Sequence, residues 1–300
     1  MVKNISNDVS LYTRFFLYKV ERLLGVIPDK QFLKIMYRIR TKEHLNLGNP
    51  QGFCEKIQWI KLYDRKKEYV QWSDKIAAKE MAAKMMGKEH IIPTIGIYNS
   101  TKEIDISKLP NRFVIKCNHD SGGVEVCNDK SSFDFKRAFK VLEVRLHRNF
   151  YYHAREWGYK DIVPKLLIEE NIADNKELYN YKFYCFNGEP KFLYVSLETI
   201  VDGKKLALLK YFDIDWNEME LRREDHPGID KVIKKPANYD EMVELSKKFA
   251  KGIPFARVDF YDINNWIYFS EMTFYPGGGF SQFYPKKYEK IIGEWIELPQ

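Results

Sequence analysis

The chain has 300 residues, 45% hydrophobic and 15% aromatic, and carries 49 Lys and Arg against 42 Asp and Glu for a net charge of +7. This composition excludes a disordered chain and leaves room for one large domain or for lobes sharing a core. No apolar run nears the ~20 residues that cross a bilayer, and Met1–Ser10 lacks the apolar core and cleavage site of a secretory leader.

The excess charge sits at the N-terminus. Residues 1–40 hold eight basic groups (Lys3, Arg14, Lys19, Arg22, Lys30, Lys34, Arg38, Arg40) and three acidic ones (Asp8, Glu21, Asp29), a local +5. Two helical patterns are predicted there, Val9–Leu24 and Asp29–Arg40, the first aligning Tyr12, Phe15, Phe16, Val20, Leu23 and Leu24. Such a helix either packs on the body or lies on an anionic membrane surface. No nucleic-acid-binding motif accompanies the charge. A helix is predicted over Phe53–Tyr63, and Ser73-Asp74 opens a second, rich in Ala and Lys, that ends at Gly87. The stretch from Ile91 to about Ile168 mixes short strands with one helix, Ser132–Phe150. From Glu169 onward come strands at Tyr181–Phe186, Lys191–Glu198 and Leu206–Asp213, turns at Asn187-Gly188 and Asp202-Gly203, and a helix at Tyr239–Lys251. The pattern is α+β or mixed α/β. Cys54, Cys117, Cys127 and Cys185 form no Cys-x-x-Cys pair and have no histidine cluster nearby. That argues for reduced thiols in a cytoplasmic protein rather than a zinc site or disulfides.

Three segments carry chemistry. In Phe113–Cys127, a strand with Phe113, Ile115 and Cys117 on one face and Lys116 on the other runs into His119-Asp-Ser-Gly-Gly123 and then a second strand. A glycine loop between strands is either a plain hairpin or a cover over phosphates, with Lys116 as a point charge. Leu166–Ile172 is an apolar strand that turns acidic at Glu169 and Glu170. Last, Arg257–Gly279 reads as a hairpin. A three-residue loop, Ile263–Asn265, would place Asp259 opposite Phe269 and Glu271 on the adjacent diagonal, with both carboxylates on one side of the sheet. Two carboxylates beside Arg257 suggest a Mg²⁺–polyphosphate site; the alternative is a surface salt bridge, Arg257 with Glu271.

The order of these segments resembles the ATP-grasp enzymes, and more closely their TupA-like branch, associated with bacterial surface-polysaccharide gene clusters. The phrases carrying the resemblance are Asn49-Pro-Gln-Gly-Phe-Cys-Glu-Lys-Ile-Gln-Trp59, Lys61-Leu-Tyr-Asp-Arg65, Asp74-Lys75, Lys116-Cys-Asn-His-Asp-Ser-Gly-Gly123, Arg155-Glu-Trp157, Tyr181-Lys-Phe-Tyr-Cys-Phe-Asn-Gly188 and Phe274-Tyr-Pro-Gly277. The match runs from about Leu45 to Trp295.

The resemblance implies two α+β lobes clamping ATP. Residues 1–44 would be a basic helical segment, 45–168 the lobe with the lid loop, and 169–300 the lobe with the metal site. By similarity, Lys75 and Lys116 meet the phosphates, and His119, Ser121, Gly122 and Gly123 lie in the lid. Glu169, Glu170 and Ile172 hold adenine, and Asp174 or Glu177 reaches the ribose. Lys182 lies in a strand phrase particular to the branch and is placed with the nucleotide-binding residues. Asp259, Glu271 and Thr273 hold Mg²⁺. Arg257 steadies the transferred phosphoryl group and forms the catalytic set with Lys116 and His119.

Two residues depart from the family pattern. Thr273 stands where most ATP-grasp ligases have Asn, and Asn180 where the branch has Asp; the first puts a second metal in question. The implied activity is an ATP-dependent carboxylate–amine ligase that joins an amino acid or amino sugar to a uronic acid of a surface glycan or its precursor. A glycan kinase, a non-catalytic nucleotide- or glycan-binding protein, and glycosyl transfer from a nucleotide sugar are the alternatives. Residues 1–40 would touch the inner face of the membrane.

Overall fold

The computed structural model describes residues 11–173, 177–201, 204–223 and 226–299. It opens with α1 (Leu11–Leu23), a 3-10 turn at Leu24–Val26, and α2 (Asp29–Thr41). Both helices agree with the predicted patterns, although the part of the first before Leu11 lies outside the described residues. Then come α3 (Phe53–Tyr63), α4 (Lys67–Ser73) and α5 (Lys75–Met86). Asp74 ends α4 and caps α5, its Oδ1 accepting from the Ile76 N–H at 2.9 Å. No helix among the described residues is long and apolar enough to cross a membrane.

Two antiparallel sheets follow. The first has four strands in the order β1 (Thr94–Tyr98), β4 (Leu166–Glu170), β2 (Phe113–Cys117), β3 (Val124–Cys127). The alternation read in β2 is real: Phe113, Ile115 and Cys117 are fully buried. They share a small core with Leu142 of α6 (Phe135–Leu146). The predicted single helix Ser132–Phe150 is corrected here. Asp134 caps α6 by accepting from the Arg137 N–H at 2.9 Å, the helix stops at Leu146, and a separate turn, α7, spans Tyr151–Ala154.

The second sheet has five strands in the order β7 (Lys204–Asp213), β6 (Glu189–Val201), β5 (Tyr179–Phe186), β8 (Phe255–Ile263), β9 (Trp266–Thr273). Asn187 and Gly188, at φ 50° and 90°, make the β5–β6 turn, as the sequence suggested. The Asp202-Gly203 turn lies outside the described residues. On one face, Phe183 packs on Tyr239 of α8 (Tyr239–Ala250). On the other, Tyr184 stacks on Phe192 at 4.5 Å between ring centres, and Phe53 of α3 meets Phe255 at 5.1 Å. The C-terminal α9 (Lys287–Glu294) docks on α3.

The lobes divide the chain differently from the boundaries expected from sequence. Phe53, Ile57, Tyr69, Trp72 and Ala78, from α3, α4 and α5, belong to the core of the five-stranded sheet, although they precede the four-stranded sheet in the chain. The boundary at residue 168 falls inside β4. The N-terminal helices are anchored by Arg155, wholly buried, whose guanidinium pairs with Asp29 at 2.9 Å, donates to the Leu24 carbonyl at 2.8 Å and stacks on Phe32.

Candidate active site

Register across the five-stranded sheet sets out the site. Tyr194 of β6 lies opposite Lys182 of β5, Lys182 opposite Asp259 of β8, and Asp259 opposite Glu271 of β9. The next row runs Phe192, Tyr184, Arg257, Thr273. Residues directly opposite in an antiparallel ladder share a face, so a hydroxyl, two cations, two carboxylates and a second hydroxyl stand together beside the aromatic core.

A bulge makes this possible, and it corrects the register expected from sequence. The β8–β9 turn has two residues, Asn264 and Asn265, both at positive φ (54° and 61°), so Ile263 pairs with Trp266 and Phe260 with Phe269. The register then slips by one residue, and Asp259 faces Glu271 itself rather than Phe269. Without the extra residue, Ser270 would oppose Asp259, and Glu271 would share the face of the fully buried Val258.

Arg257 organises the group. Its Nε and Nη2 donate to the two Asp259 oxygens at 2.7 Å each, and Nη2 also reaches Glu271 Oε1 at 2.8 Å and Thr273 Oγ1 at 3.0 Å. Nη1 donates to the Tyr194 hydroxyl at 3.3 Å. Lys182 pairs with Asp259 Oδ2. Asp259 is completely buried, whereas Glu271 keeps 39% of its side chain exposed. Burial works to raise the Glu271 carboxyl, but Lys182, Arg257 and Lys75 outweigh it and bring it down to about 2. Burial lowers the Arg257 guanidinium, and Asp259 above all lifts it well beyond its usual range. Glu271 and Arg257 are therefore both charged at neutral pH.

Lys116 brings positive charge from the four-stranded sheet, and Lys75 from the first residue of α5. Lys75 opens α5 and donates to the Asp120 carbonyl of the glycine loop at 2.7 Å. Burial draws its ammonium below the ordinary lysine value, opposed by Glu271 and Asp120. Lys116 pairs with Glu169, whose other oxygen takes Lys79 of α5. Burial opposes the charge on both Lys116 and Glu169, but their mutual attraction prevails: Lys116 is raised and Glu169 lowered. Both oxygens of Glu169 are thus committed to lysines. Glu170 ends β4 and is exposed, and Ile172, just past the strand, is half-buried. Glu177 is exposed and paired with Lys231, and Asp174 lies outside the described residues.

The glycine loop between β2 and β3 is pinned at one end. Asp120 is completely buried and paired with Arg145 and with Arg148 (3.4 Å). Ser121 and Gly122 are exposed, with Gly122 at φ 85°. Gly123 is buried, and a Cβ there would stand 3.0 Å from an Asp120 oxygen. His119 does not join the charged cluster. Its ring is 2% exposed, with Nδ1 at 3.2 Å from Asn118 Oδ1 and Nε2 at 3.3 Å from the Arg145 carbonyl. Burial lowers its pKa. The resemblance placed His119 in the catalytic set; the turn instead folds it under as a strut.

Two of the phrases that looked distinctive in sequence, through Gln58 and Lys61, hold backbone next to two others, at Ala154 and at Gly278. Lys61, wholly buried, donates to the carbonyls of Ala154 (2.8 Å) and Gly278 and to Gln58 Oε1 (3.0 Å), and Gln58 donates to Gly279. Gly277, Gly278 and Gly279 all have positive φ, from 60° to 66°. The α3 helix therefore grips the backbone that continues from Thr273. Tyr194 and Lys79 are site residues that sequence reading missed; neither sits in a phrase with a chemical signature.

A Mg²⁺ bound with phosphates needs one or two carboxylate oxygens, the rest coming from phosphate and water. Glu271 fits, because Arg257 and the Thr273 hydroxyl, 3.3 Å away, both approach only Oε1. Asp259 fits only on release from Lys182, since both its oxygens are hydrogen-bonded to cations. Among the described residues no group of three or more His, Cys, Asp or Glu side chains stands ready for a metal on its own.

The family described as TupA-like ATPgrasp matches residues 55–297. No curated protein matches the chain significantly. Among solved structures, D-alanine–D-alanine ligase from Bacillus anthracis aligns at 20% identity and a TM-score of 0.40, covering 82% of this chain and 67% of that one. D-Alanine–D-alanine ligase from Helicobacter pylori aligns at 15% and 0.43 (83% and 68%), and L-amino acid ligase from Bacillus licheniformis at 12% and 0.48 (82% and 56%). The chain spans little more than half the length of the last of these.

Proposed function

The chain belongs to the TupA-like ATP-grasp family, and from that premise we propose that it is an ATP-dependent carboxylate–amine ligase. The observation that carries the reading is the partly exposed carboxylate of Glu271, paired with Arg257 and drawn down by Lys182, Arg257 and Lys75. This arrangement suits a polyphosphate, and Glu271 would hold a Mg²⁺ that neutralises phosphate charge when bound.

A carboxylate resists amide formation because its leaving group would be oxide. In the proposed reaction an acceptor carboxylate oxygen attacks the γ-phosphorus of ATP, the bond to the β-phosphate oxygen breaks, and ADP leaves. The amine then attacks the acyl carbon, phosphate departs with the bonding pair, and the amine proton is lost to solvent or phosphate. Phosphoryl transfer of this kind depends chiefly on positioning and charge. Arg257 would hold the transferred group, Lys75 and Lys116 the phosphates, and Glu271 the Mg²⁺, with Asp259 joining only if Lys182 moves. Ser121, Gly122 and Gly123 would cover the phosphates and exclude water from the acyl phosphate. Glu170 and Ile172 would meet adenine, with Glu169 acting through Lys116.

The acceptor in this reading is a uronic acid of a surface glycan or its precursor, and the amine an amino acid or amino sugar. Such precursors are built at the inner face of the membrane, so peripheral contact through residues 1–40 belongs to the same reading. Incubation with Mg²⁺-ATP, uronic-acid acceptors and an amine panel tests it. The ligase requires ADP and free phosphate in equal amounts, dependent on both acceptor and amine, with Glu271→Ala inactive. ADP with phosphate retained on the glycan would make it a kinase instead, the reading Thr273 favours, since a hydroxyl replaces the amide carbonyl that ligases of this fold offer a second metal.

A further inference from the structure

The first helix and the turn after it leave a set of large apolar side chains in the open. Phe16 is 63% exposed, Leu17 45%, Leu23 70% and Val26 86%, and on α2 Ile35 and Ile39 are 53% and 55% exposed. Single exposed apolar residues are ordinary, but clusters on one helix and its turn mark a surface that meets something.

The charges of this segment are sorted by side. Its two described acids turn into the body. Glu21 accepts from Arg148 at 2.9 Å and lies 2.7 Å from His153 Nδ1, and Asp29 meets Arg155 at 2.9 Å and the Tyr151 hydroxyl at 2.6 Å. The cations Lys19, Arg22, Lys30, Lys34 and Arg38 are all exposed. By helical spacing Phe16, Lys19 and Leu23 share one side of α1, and Ile35 and Arg38 one side of α2. The outward side chains are therefore apolar or cationic, with no carboxylate of the segment among them.

We propose that this face docks on an anionic lipid bilayer. The apolar side chains enter the boundary between headgroups and acyl chains, and the cations meet lipid phosphates. A second copy of the chain is the poorer occupant, because pairing through this face would bring like charges together. The proposal names the surface behind the membrane contact of the proposed function. Lipid binding is read without catalysis, so either idea fails alone.

The test is co-sedimentation of the full chain with phosphatidylglycerol–phosphatidylcholine vesicles against pure phosphatidylcholine. The protein pellets with the anionic vesicles and is released by salt. The variant Phe16→Ser/Leu23→Ser/Val26→Ser loses about tenfold or more in partitioning, and Arg22→Glu/Lys30→Glu/Lys34→Glu loses the preference for phosphatidylglycerol. Both keep the parent's thermal midpoint and ATP turnover, because the altered side chains touch solvent. Pelleting equal to the parent in either variant overturns the proposal. So does indifference to lipid charge, or a failure to pellet, whether or not light scattering then shows a dimer that the apolar variant dissolves.

Discussion

Asp259 and Glu271 face each other across β8 and β9, yet Arg257 holds both oxygens of the first and only one of the second. One carboxylate is fully buried and the other is partly exposed to solvent. The pair therefore divides into a residue that holds the arginine and a residue free to meet a ligand.

Glu271→Gln is expected to lower the rate of ADP formation by about 10²–10³-fold, the usual cost of losing one well-placed electrostatic group. The thermal midpoint should move little, because the side chain is already partly in water. A variant that melts well below the parent would assign Glu271 to the fold rather than to the ligand.

Arg257→Met should act through stability as well as rate. It leaves Asp259 buried with Lys182 as its remaining cation, and breaking a buried pair on one side costs about 3 kcal/mol. Urea denaturation measures this. Adding Asp259→Asn should recover part of the loss, because the stranded charge is then gone; a double variant weaker than the single would refute the pairing account.

Glu169 gives a pH dependence whose sign follows from its environment. Lys116 and Lys79 hold its carboxyl below the ordinary value of 4.5 despite burial. Its stabilisation is complete above that ordinary value and is lost as pH falls through the depressed one, where the folded state must at last take up the proton. Glu169→Gln should therefore lower the melting temperature at neutral pH, and the gap to the parent should close as pH falls below 4.5. A gap that stays constant across the titration would count against the ion pairs.

His119→Gln separates a strut from a catalyst. With both ring nitrogens engaged by Asn118 and the Arg145 carbonyl, its replacement should lower thermal stability. The pH profile of kcat should not move, and kcat itself should change by less than about tenfold, below the range typical of a lost general base. A lost limb in that profile would restore the catalytic role that the family resemblance implied.

Much of this architecture was legible because the local signals agreed with the packing. The alternation of Phe113, Ile115 and Cys117, the apolar positions of Phe53–Tyr63 and the Asn-rich hairpin turn all led to the elements observed. Two features depended on partners distant in the chain. Lys182 enters the charged row only through the register of β5 on β8, two strands about 75 residues apart in sequence, which no local pattern encodes. His119 lies buried because Asp120 draws the loop onto the arginines of α6 and the residues after it. The bulge did leave a trace that was passed over. The core positions of β9 run Ile267, Phe269 and then Met272, Phe274, and a three-residue gap in a two-residue rhythm marks the extra residue. The short α4 and α9 lack the length at which helical periodicity stands out.

The Arg155–Asp29 pair reaches from inside the matched region to a helix that precedes it. A guanidinium with no exposure cannot tolerate losing its carboxylate without a compensating change. Substitution at either position should therefore be accompanied by substitution at the other, and the basic arm cannot be shed as a module while Arg155 is retained. The Arg-Glu-Trp phrase thus couples the stability of the basic arm to that of the body, and losing Asp29 should loosen both together.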